Sequence, residues 1–215
     1  MFFKNKNLFC ILTVLVSIFF VSTISKAETA YMKINYGIST HDMGTTTTTG
    51  TITYDDEDEG FIFSAGYMVG DLWGVDFMYH DLGSSTVGAL DVGDAFKIGN
   101  LDHHVTTAGT IENDVSGYGI GFIASSNSDS SWDTYIKAGA HSWDKSGSTT
   151  LLSDNNHING EFFSQGIGAY GGIGVAYSFY DTISVDVAYD IIGLSKDVSF
   201  DSSSTLISLG VRAKF

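Results

Sequence analysis

The chain has 215 residues, a formal net charge of −15, 25 glycines, no proline and a single cysteine. So acidic a surface repels phosphate instead of displacing its counter-ions, which excludes nucleic acid as a partner. One thiol excludes an internal disulfide framework, and the length suits one domain.

In chain order, residues 1–27 read as an export leader. Lys4 and Lys6 give a basic start, Leu8 to Val21 is almost wholly apolar, and Ser25 and Ala27 place small residues at the cleavage-site spacing. The apolar run is shorter than the roughly 20 residues a membrane helix needs. Cleavage is therefore expected, leaving residues 28–215 as the mature domain. Cys10 lies early in the run, away from the cleavage point. The mature chain is thus expected to carry no thiol, no cysteine-linked lipid and no thiol chemistry. Loss of Lys4, Lys6 and Lys26 would leave 7 basic against 25 acidic residues, a formal charge of −18. No later segment has the roughly 18 consecutive apolar residues of a membrane helix, so whatever enters a membrane must do so as strands.

Eight segments then alternate with a period of two, which predicts strands rather than helices. The first spans about 30–39, with Met32, Ile34, Tyr36 and Ile38 on one side and Lys33, Asn35 and Gly37 on the other. The second, about 60–69, sets Phe61, Phe63, Ala65, Tyr67 and Val69 against Ser64 and Gly66. A tight Gly70-Asp71 turn leads to the third, about 72–81, with Trp73, Val75, Phe77 and Tyr79 against Gly74, Asp76 and His80. The fourth, 115–124, opposes Tyr118, Ile120 and Phe122 to Gly117, Gly119 and Gly121. After SSNSDSS come the fifth, 132–143, and the sixth, about 165–179. The seventh, 183–191, alternates Ile183, Val185, Val187 and Tyr189 with Ser184, Asp186 and Asp190. The eighth is LISLGVRAKF, residues 206–215.

Connections after the second, fourth and sixth strands are short; those after the first, third, fifth and seventh are long, polar and rich in Asp, Ser, Thr and Gly. Long loops therefore gather at one end, as in an outer-membrane barrel. A Greek-key sandwich gives no reason for that asymmetry. Aligning the strands by distance from the short turns places Tyr36, Tyr79 and Tyr189 at one height near the long loops. Trp73, Tyr67, Tyr177, Phe179 and Phe215 lie near the other end. Two aromatic belts are expected where a barrel crosses the two membrane surfaces. The apolar stripes are accordingly read as facing lipid. The fold class is all-β: an eight-stranded antiparallel up-and-down transmembrane β-barrel with short periplasmic turns and long extracellular loops.

Strand count, loop alternation, the segment GIGVAYSFYDTISVDVAYDI and the terminal aromatic together resemble the OmpA/OmpX-type family of eight-stranded outer-membrane barrels, over about 30–215. The resemblance covers the barrel, and no peptidoglycan-binding domain is expected after it, since the last strand is where this sequence ends. It also implies that the last strand, with Ile207, Leu209, Val211, Ala213 and Phe215, is similar to the signal read by the barrel-assembly machinery.

The same alignment brings Lys33, Asp76, Lys137, Asp186 and Arg212 to one depth in the lumen with alternating signs, and Gly37, His80, His141 and Asp190 to a tier four residues higher. A mid-membrane charge on the lipid face costs roughly 2–4 kcal/mol, so these side chains should point inward. The ring reads either as a gated ion path or as a paired polar plug. An eight-stranded barrel is just wide enough for its side chains to fill, which favours the plug. His80, His141 and Asp190 offer metal-ligand types, but ordinary hydrogen-bonding partners account for them equally, and no metal or cofactor is expected. The run Asp55, Asp56, Glu57, Asp58, Glu59 occupies the first long loop. It lacks EF-hand spacing and reads as a solvated charged segment, with a weak divalent-cation site as the alternative. Thr45 to Thr49 and Thr51 before it are expected to extend the first two strands above the membrane.

His80, Asp81, Ser84, His103 and His104 supply rim residue types for hydrolysis, but types without a base poised beside a nucleophile make no catalytic triad. GIGAYG fits G-x-G-x-x-G, yet strand follows it instead of a helix, so the dinucleotide reading fails. Within the second long loop, about 82–114, AFKIG and HVTTAG could pair as an extra external hairpin and leave a ten-stranded barrel open. The expected function is a non-enzymatic surface-interaction protein, a monomer in lipid and lipopolysaccharide. Its acidic loops would meet host or phage molecules. A small passive or gated channel is the alternative, and a lipid-modifying enzyme the third.

Overall fold

The computed structural model describes residues 28–42, 45–49, 53–69, 72–88, 91–98, 101–126, 131–150, 152–153, 160–194 and 202–215. The leader read in residues 1–27, Thr51 and the Gly70-Asp71 turn lie outside the described residues. The strands are β1 (Glu28–Asp42), β2 (Thr45–Thr49), β3 (Thr53–Asp55), β4 (Glu57–Val69), β5 (Trp73–Gly88), β6 (Ala95–Ile98), β7 (Leu101–Thr107), β8 (Ile111–Ser125), β9 (Trp132–Thr149), β10 (Leu152–Ser153), β11 (Gly160–Tyr180), β12 (Ile183–Gly193) and β13 (Ser203–Lys214). Eight of them, β1, β4, β5, β8, β9, β11, β12 and β13, pair antiparallel in that order, and β1 pairs with β13 to close the ring. The Phe215 amide donates to the Ala30 carbonyl at 2.9 Å, so the last residue is tied to the first strand.

The pairing fixes the size of the lumen. From Ile38 the register runs through Ile207, Tyr189, Ile173, Ile136, Ala124, Trp73 and Val69, and returns to β1 at Glu28, ten residues lower. A stagger of ten over eight strands, at usual strand spacings, gives a tilt of about 41° and a radius of about 8 Å to the backbone. Such a space is just wide enough for side chains to occupy most of it.

Period-two alternation sorts the two faces. Ile34, Tyr36, Ile38, Phe77, Ile120, Phe122, Ile136, Ile173, Val187, Ile207 and Leu209 are exposed on the outside. Nothing but a bilayer makes that surface stable in water, because a contiguous apolar girdle exceeds what soluble proteins leave uncovered. Aromatic belts edge it. Above, Tyr79 lies 5.7 Å from Phe61 and 5.0 Å from Tyr118 between ring centres. Below, Tyr177 lies 4.9 Å from both Trp132 and Phe179.

Several strands continue past the upper belt. β5, β8 and β9 stay paired up to Val87, Ile111 and Thr149. Above them β6 and β7 form the extra hairpin, flanked by β2 and β10 in a separate four-stranded sheet. The barrel therefore keeps eight strands and the hairpin stands outside it. The threonine run does not extend the first two barrel strands. Thr45 to Thr49 pair with β6 instead, while β1 ends at Asp42 and its pairing with β4 ends at Thr40 and Glu57.

The lumen and outer rim as the candidate functional site

Inward positions of the barrel strands deliver the charged tier. Lys33, Asp76, Lys137, Asp186 and Arg212 come from β1, β5, β9, β12 and β13, and each is at most 4% exposed. Neighbouring glycines make the room. A Cβ on Gly66 would run into the Tyr31 ring, one on Gly174 into Tyr135, one on Gly172 into Asp190 and the Lys137 stem, and one on Gly210 into Asn35 and Asp186. Large inward side chains therefore lie over glycines of the next strand.

The five charges are not partnered around a flat ring. Lys33 reaches Asp186 at 3.4 Å and donates to the Tyr135 hydroxyl at 2.8 Å, with the Tyr135 ring 4.5 Å beneath the ammonium. Asp186 also accepts from Tyr135 and, at 3.4 Å, from the Asn35 amide. Asp76 accepts from the Tyr31 hydroxyl at 2.6 Å. Lys137 pairs upward with Asp190 at 2.8 Å, and Arg212 pairs downward with Asp133 at 3.2 Å. Its guanidinium lies 5.5 Å from the Tyr31 ring centre and 4.7 Å from that of Tyr135. Long side chains reach along a narrow lumen as easily as across it, so Lys33–Asp186 stays within the tier while Lys137–Asp190 and Arg212–Asp133 run between tiers. Tyr31, Tyr135 and Asp133, which complete the network, carry no sequence signal beyond standing at inward positions.

The next tier holds His80 and His141. Gly193 offers only a carbonyl oxygen, 2.8 Å from His141 Nε2, so that nitrogen carries the proton and His141 Nδ1 accepts from His80 Nε2 at 3.1 Å. A metal would need both lone pairs where the shared proton sits. No group of three metal-ligating side chains gathers among the described residues. Beside and above the histidines lies an apolar layer inside the barrel: Ile62, Met78, Leu82, Val115, Trp143, Tyr170, Ile192, Leu194 and Leu206 form one buried cluster. Its sequence signal is the breaks in alternation at Phe61-Ile62-Phe63, Ile191-Ile192 and Leu206-Ile207, where apolar residues face both ways.

Above the layer, His41 Nε2 donates to the Leu82 carbonyl at 3.0 Å, which leaves Nδ1 to accept from the Ser204 hydroxyl at 2.8 Å. Burial holds this imidazole's pKa below its ordinary value. Sequence spacing gave no hint of this Ser-His contact. Both residues are buried, so the pair fastens β1 to β5 and β13 and offers no substrate an approach. Of the rim candidates, His80 is enclosed in the lumen, and the Ser84 hydroxyl donates to Asp58 at 2.9 Å. His104 stands exposed on β7.

The acidic run is strand, not free loop. Asp55 lies in β3 opposite Thr86, Glu57 to Glu59 lie in β4 opposite β1, and the Asp56 carbonyl accepts from the His41 amide at 2.8 Å. Glu57 and Glu59 point outward into solvent, whereas Asp58 turns in. Its carboxylate accepts from the Ser84 amide at 2.6 Å, the Ser84 hydroxyl and the Glu59 amide at 2.8 Å. These donors hold its pKa below the usual carboxylate range, the Ser84 amide first. Asp58 thereby clasps the irregularity between Asp81 and Ser84 in β5, where Gly83 takes φ 72°, a left-handed conformation suited to glycine. The five carboxylates do not converge on one point, because alternation sends neighbours to opposite faces.

A closed strand ring with a lipid-matched exterior and a charge-filled interior defines a transmembrane β-barrel, with short turns on one side and tall strands on the other. Residues 11–215 match the family described as outer membrane protein beta-barrel domain, and the chain belongs to it. Its place is the outer membrane of a Gram-negative bacterium. No curated relative matches in sequence. Among solved structures, the attachment invasion locus protein Ail of Yersinia pestis, crystallised with the heparin analogue sucrose octasulfate, superposes with a TM-score of 0.50 at 14% identity, covering 88% of this chain and 99% of Ail. Neisserial surface protein A gives 0.50 at 18%, covering 86% and 97%. OprG of Pseudomonas aeruginosa gives 0.51 at 14%, covering 86% and 96%. Each shares the fold.

Proposed function

We propose that this barrel is a non-enzymatic surface-display protein, made with the cleavable leader of residues 1–27, whose tall strands hold an acidic face above the outer membrane. The observation that carries this is the ordered β-structure above the upper belt, β2, β3, β6, β7, β10 and the tops of β5, β8 and β9, standing on a lumen packed with paired charges. The charge inside is structural in this reading: Lys33, Asp76, Lys137, Asp186 and Arg212 hold the tilted strands together.

The outward face there carries Glu57, Glu59, Glu112 and Asp114 on described strands, while Lys33, Lys137 and Arg212 are spent inside. A sulfated polyanion such as the ligand in the Ail structure is therefore the wrong chemistry for this face. Cationic surfaces suit it, as do lipopolysaccharide phosphates bridged by divalent cations, with the Asp55 to Glu59 run contributing its outward members. We also assign Ile207, Leu209, Val211, Ala213 and Phe215 to recognition by the barrel-assembly machinery, since the stripe faces outward and ends in an exposed aromatic.

Retention of intact cells on surfaces coated with a basic peptide or with heparin tests the display reading. Expression should raise retention on the basic surface only, and Glu57→Gln/Glu59→Gln/Asp114→Asn should remove the gain. Equal retention with and without the protein, or a preference for heparin, refutes it. An altered acyl pattern of lipopolysaccharide on expression would refute the non-enzymatic part.

A further inference from the structure

We propose that the lumen is sealed by its apolar layer, a hydrophobic gate built from Ile62, Leu82, Trp143, Ile192 and Leu206, and that the charged tier beneath is a wettable vestibule reached from the short-turn side. The inference rests on the barrel crossing a membrane and not on the display reading.

Two observations separate the layer from the tier. First, the tier has spare hydrogen-bonding capacity: Asn35 Oδ1, Ser64 Oγ, Ser184 Oγ, Ser208 Oγ and Arg212 Nε and Nη2 are buried with no protein partner. Groups of that kind hold water, and a hydrated tier of charged side chains offers a permeating ion replacements for its hydration shell. Its lower mouth, the Arg212–Asp133 pair, is partly open, with the Asp133 side chain 13% exposed. Second, the layer is mostly hydrocarbon and carries no charged side chain of its own. Ile62, Leu82, Ile192 and Leu206 are each at most 1% exposed, and they belong with Trp143 to one buried cluster. Of the polar groups in and around them, His141 is engaged with Gly193 and His80 and Ser39 with the Leu82 carbonyl, whereas Trp143 Nε1, the Tyr170 hydroxyl and His80 Nδ1 are buried with no protein partner.

The layer draws on five strands of the ring: Ile62 on β4, Leu82 on β5, Trp143 on β9, Ile192 on β12 and Leu206 on β13. Ile62 of β4 is opposite His80 of β5, His80 is opposite Gly117 of β8, and Gly117 is opposite Trp143 of β9; Ile192 of β12 is opposite Tyr170 of β11, and Leu206 of β13 is opposite Asp190 of β12. At the top of β12 the layer is two positions deep, Ile192 and, just past the strand, Leu194. Apolar constrictions of this kind gate by dewetting, whereas breaking a wetted ion pair leaves the apolar barrier in place.

Matched truncations test which layer closes the path. Refolded full-length protein should be silent in planar lipid bilayers, and Lys33→Ser/Asp186→Ser should be silent too. Ile62→Ser/Leu206→Ser should give steady openings, with conductance at least about tenfold above that baseline. Steady conductance of the wild type or of Lys33→Ser/Asp186→Ser overturns the proposal, as does silence of Ile62→Ser/Leu206→Ser shown folded by its heat-dependent gel mobility. Should the layer variant not fold, single cysteines in the unaltered layer decide. Lys145→Cys above the layer should react with a small charged thiosulfonate added to intact cells. Ser208→Cys below it should react only when the reagent reaches the short-turn face. Modification of Ser208→Cys from outside, or from neither side, overturns the proposal. None of these results alters what the cell-retention assay would say about display.

Discussion

Replacing Asp186 by alanine isolates what the buried network contributes. Its carboxylate is the anion nearest Lys33, at 3.4 Å, and both side chains are at most 2% exposed. It also accepts from Tyr135 and Asn35. Removing it leaves the Lys33 ammonium with the Tyr135 hydroxyl and ring as its described neighbours, in a lumen that still contains Lys137 and Arg212. Orphaning one member of a buried pair costs about 3–5 kcal/mol. Asp186→Asn keeps an acceptor for Tyr135 and should lose about 1.5–3 kcal/mol, the range for a hydrogen bond to a charged group. Lys33→Met/Asp186→Leu removes both charges and their desolvation together, and should lie within about 1 kcal/mol of wild type. The assay is reversible urea unfolding from lipid vesicles, followed by emission of the lipid-facing Trp73 and Trp132. A loss below about 1 kcal/mol for Asp186→Ala, or strict additivity in the double-mutant cycle, would refute the view that this pair is a coupled structural unit.

Leu209 is 61% exposed at the middle of the lipid face, so Leu209→Arg should destabilise the folded barrel by about 2–4 kcal/mol in the same unfolding assay. Gly37→Ala would press a methyl group against the Ile207 carbonyl oxygen and Ser208 Cα, backbone atoms that cannot swing away, and should lose about 1–3 kcal/mol. Asp58 has a depressed pKa in the folded state, so its clasp contributes fully above the ordinary carboxylate value of 3.8 and fades as pH falls from there through the lowered value. Asp58→Asn should therefore cost about 1 kcal/mol at pH 7, a figure reduced for its partial exposure, and almost nothing near pH 2, as read by urea midpoints at the two pH values. Deleting Phe215 should slow appearance of the heat-modifiable folded form in cells, while refolding of the purified chain into detergent stays near the wild-type rate.

What the sequence by itself determined is the exterior. Ile207, Leu209 and Val211 face lipid, a solvent with no preferred partner, so their fate depends only on residue type and on the two-residue period of a strand. Strand count, loop asymmetry and both aromatic belts follow from the same one-dimensional rule. Depth in the lumen was legible too, because distance from a short turn converts to height along a tilted strand. Tertiary structure alone decided partnership. Lys33 and Asp186 are 153 residues apart, and Lys137 takes Asp190 from the tier above instead of a neighbour at its own depth. The acidic run divided likewise: Glu57 and Glu59 went to solvent while Asp58 met a bulge in β5 that no local pattern announces. Side chains that point into a tube about 8 Å in radius meet residues from every strand at once. Which of them touch is set by stagger, by which neighbour is glycine and by side-chain reach, and these are defined only when the ring has closed.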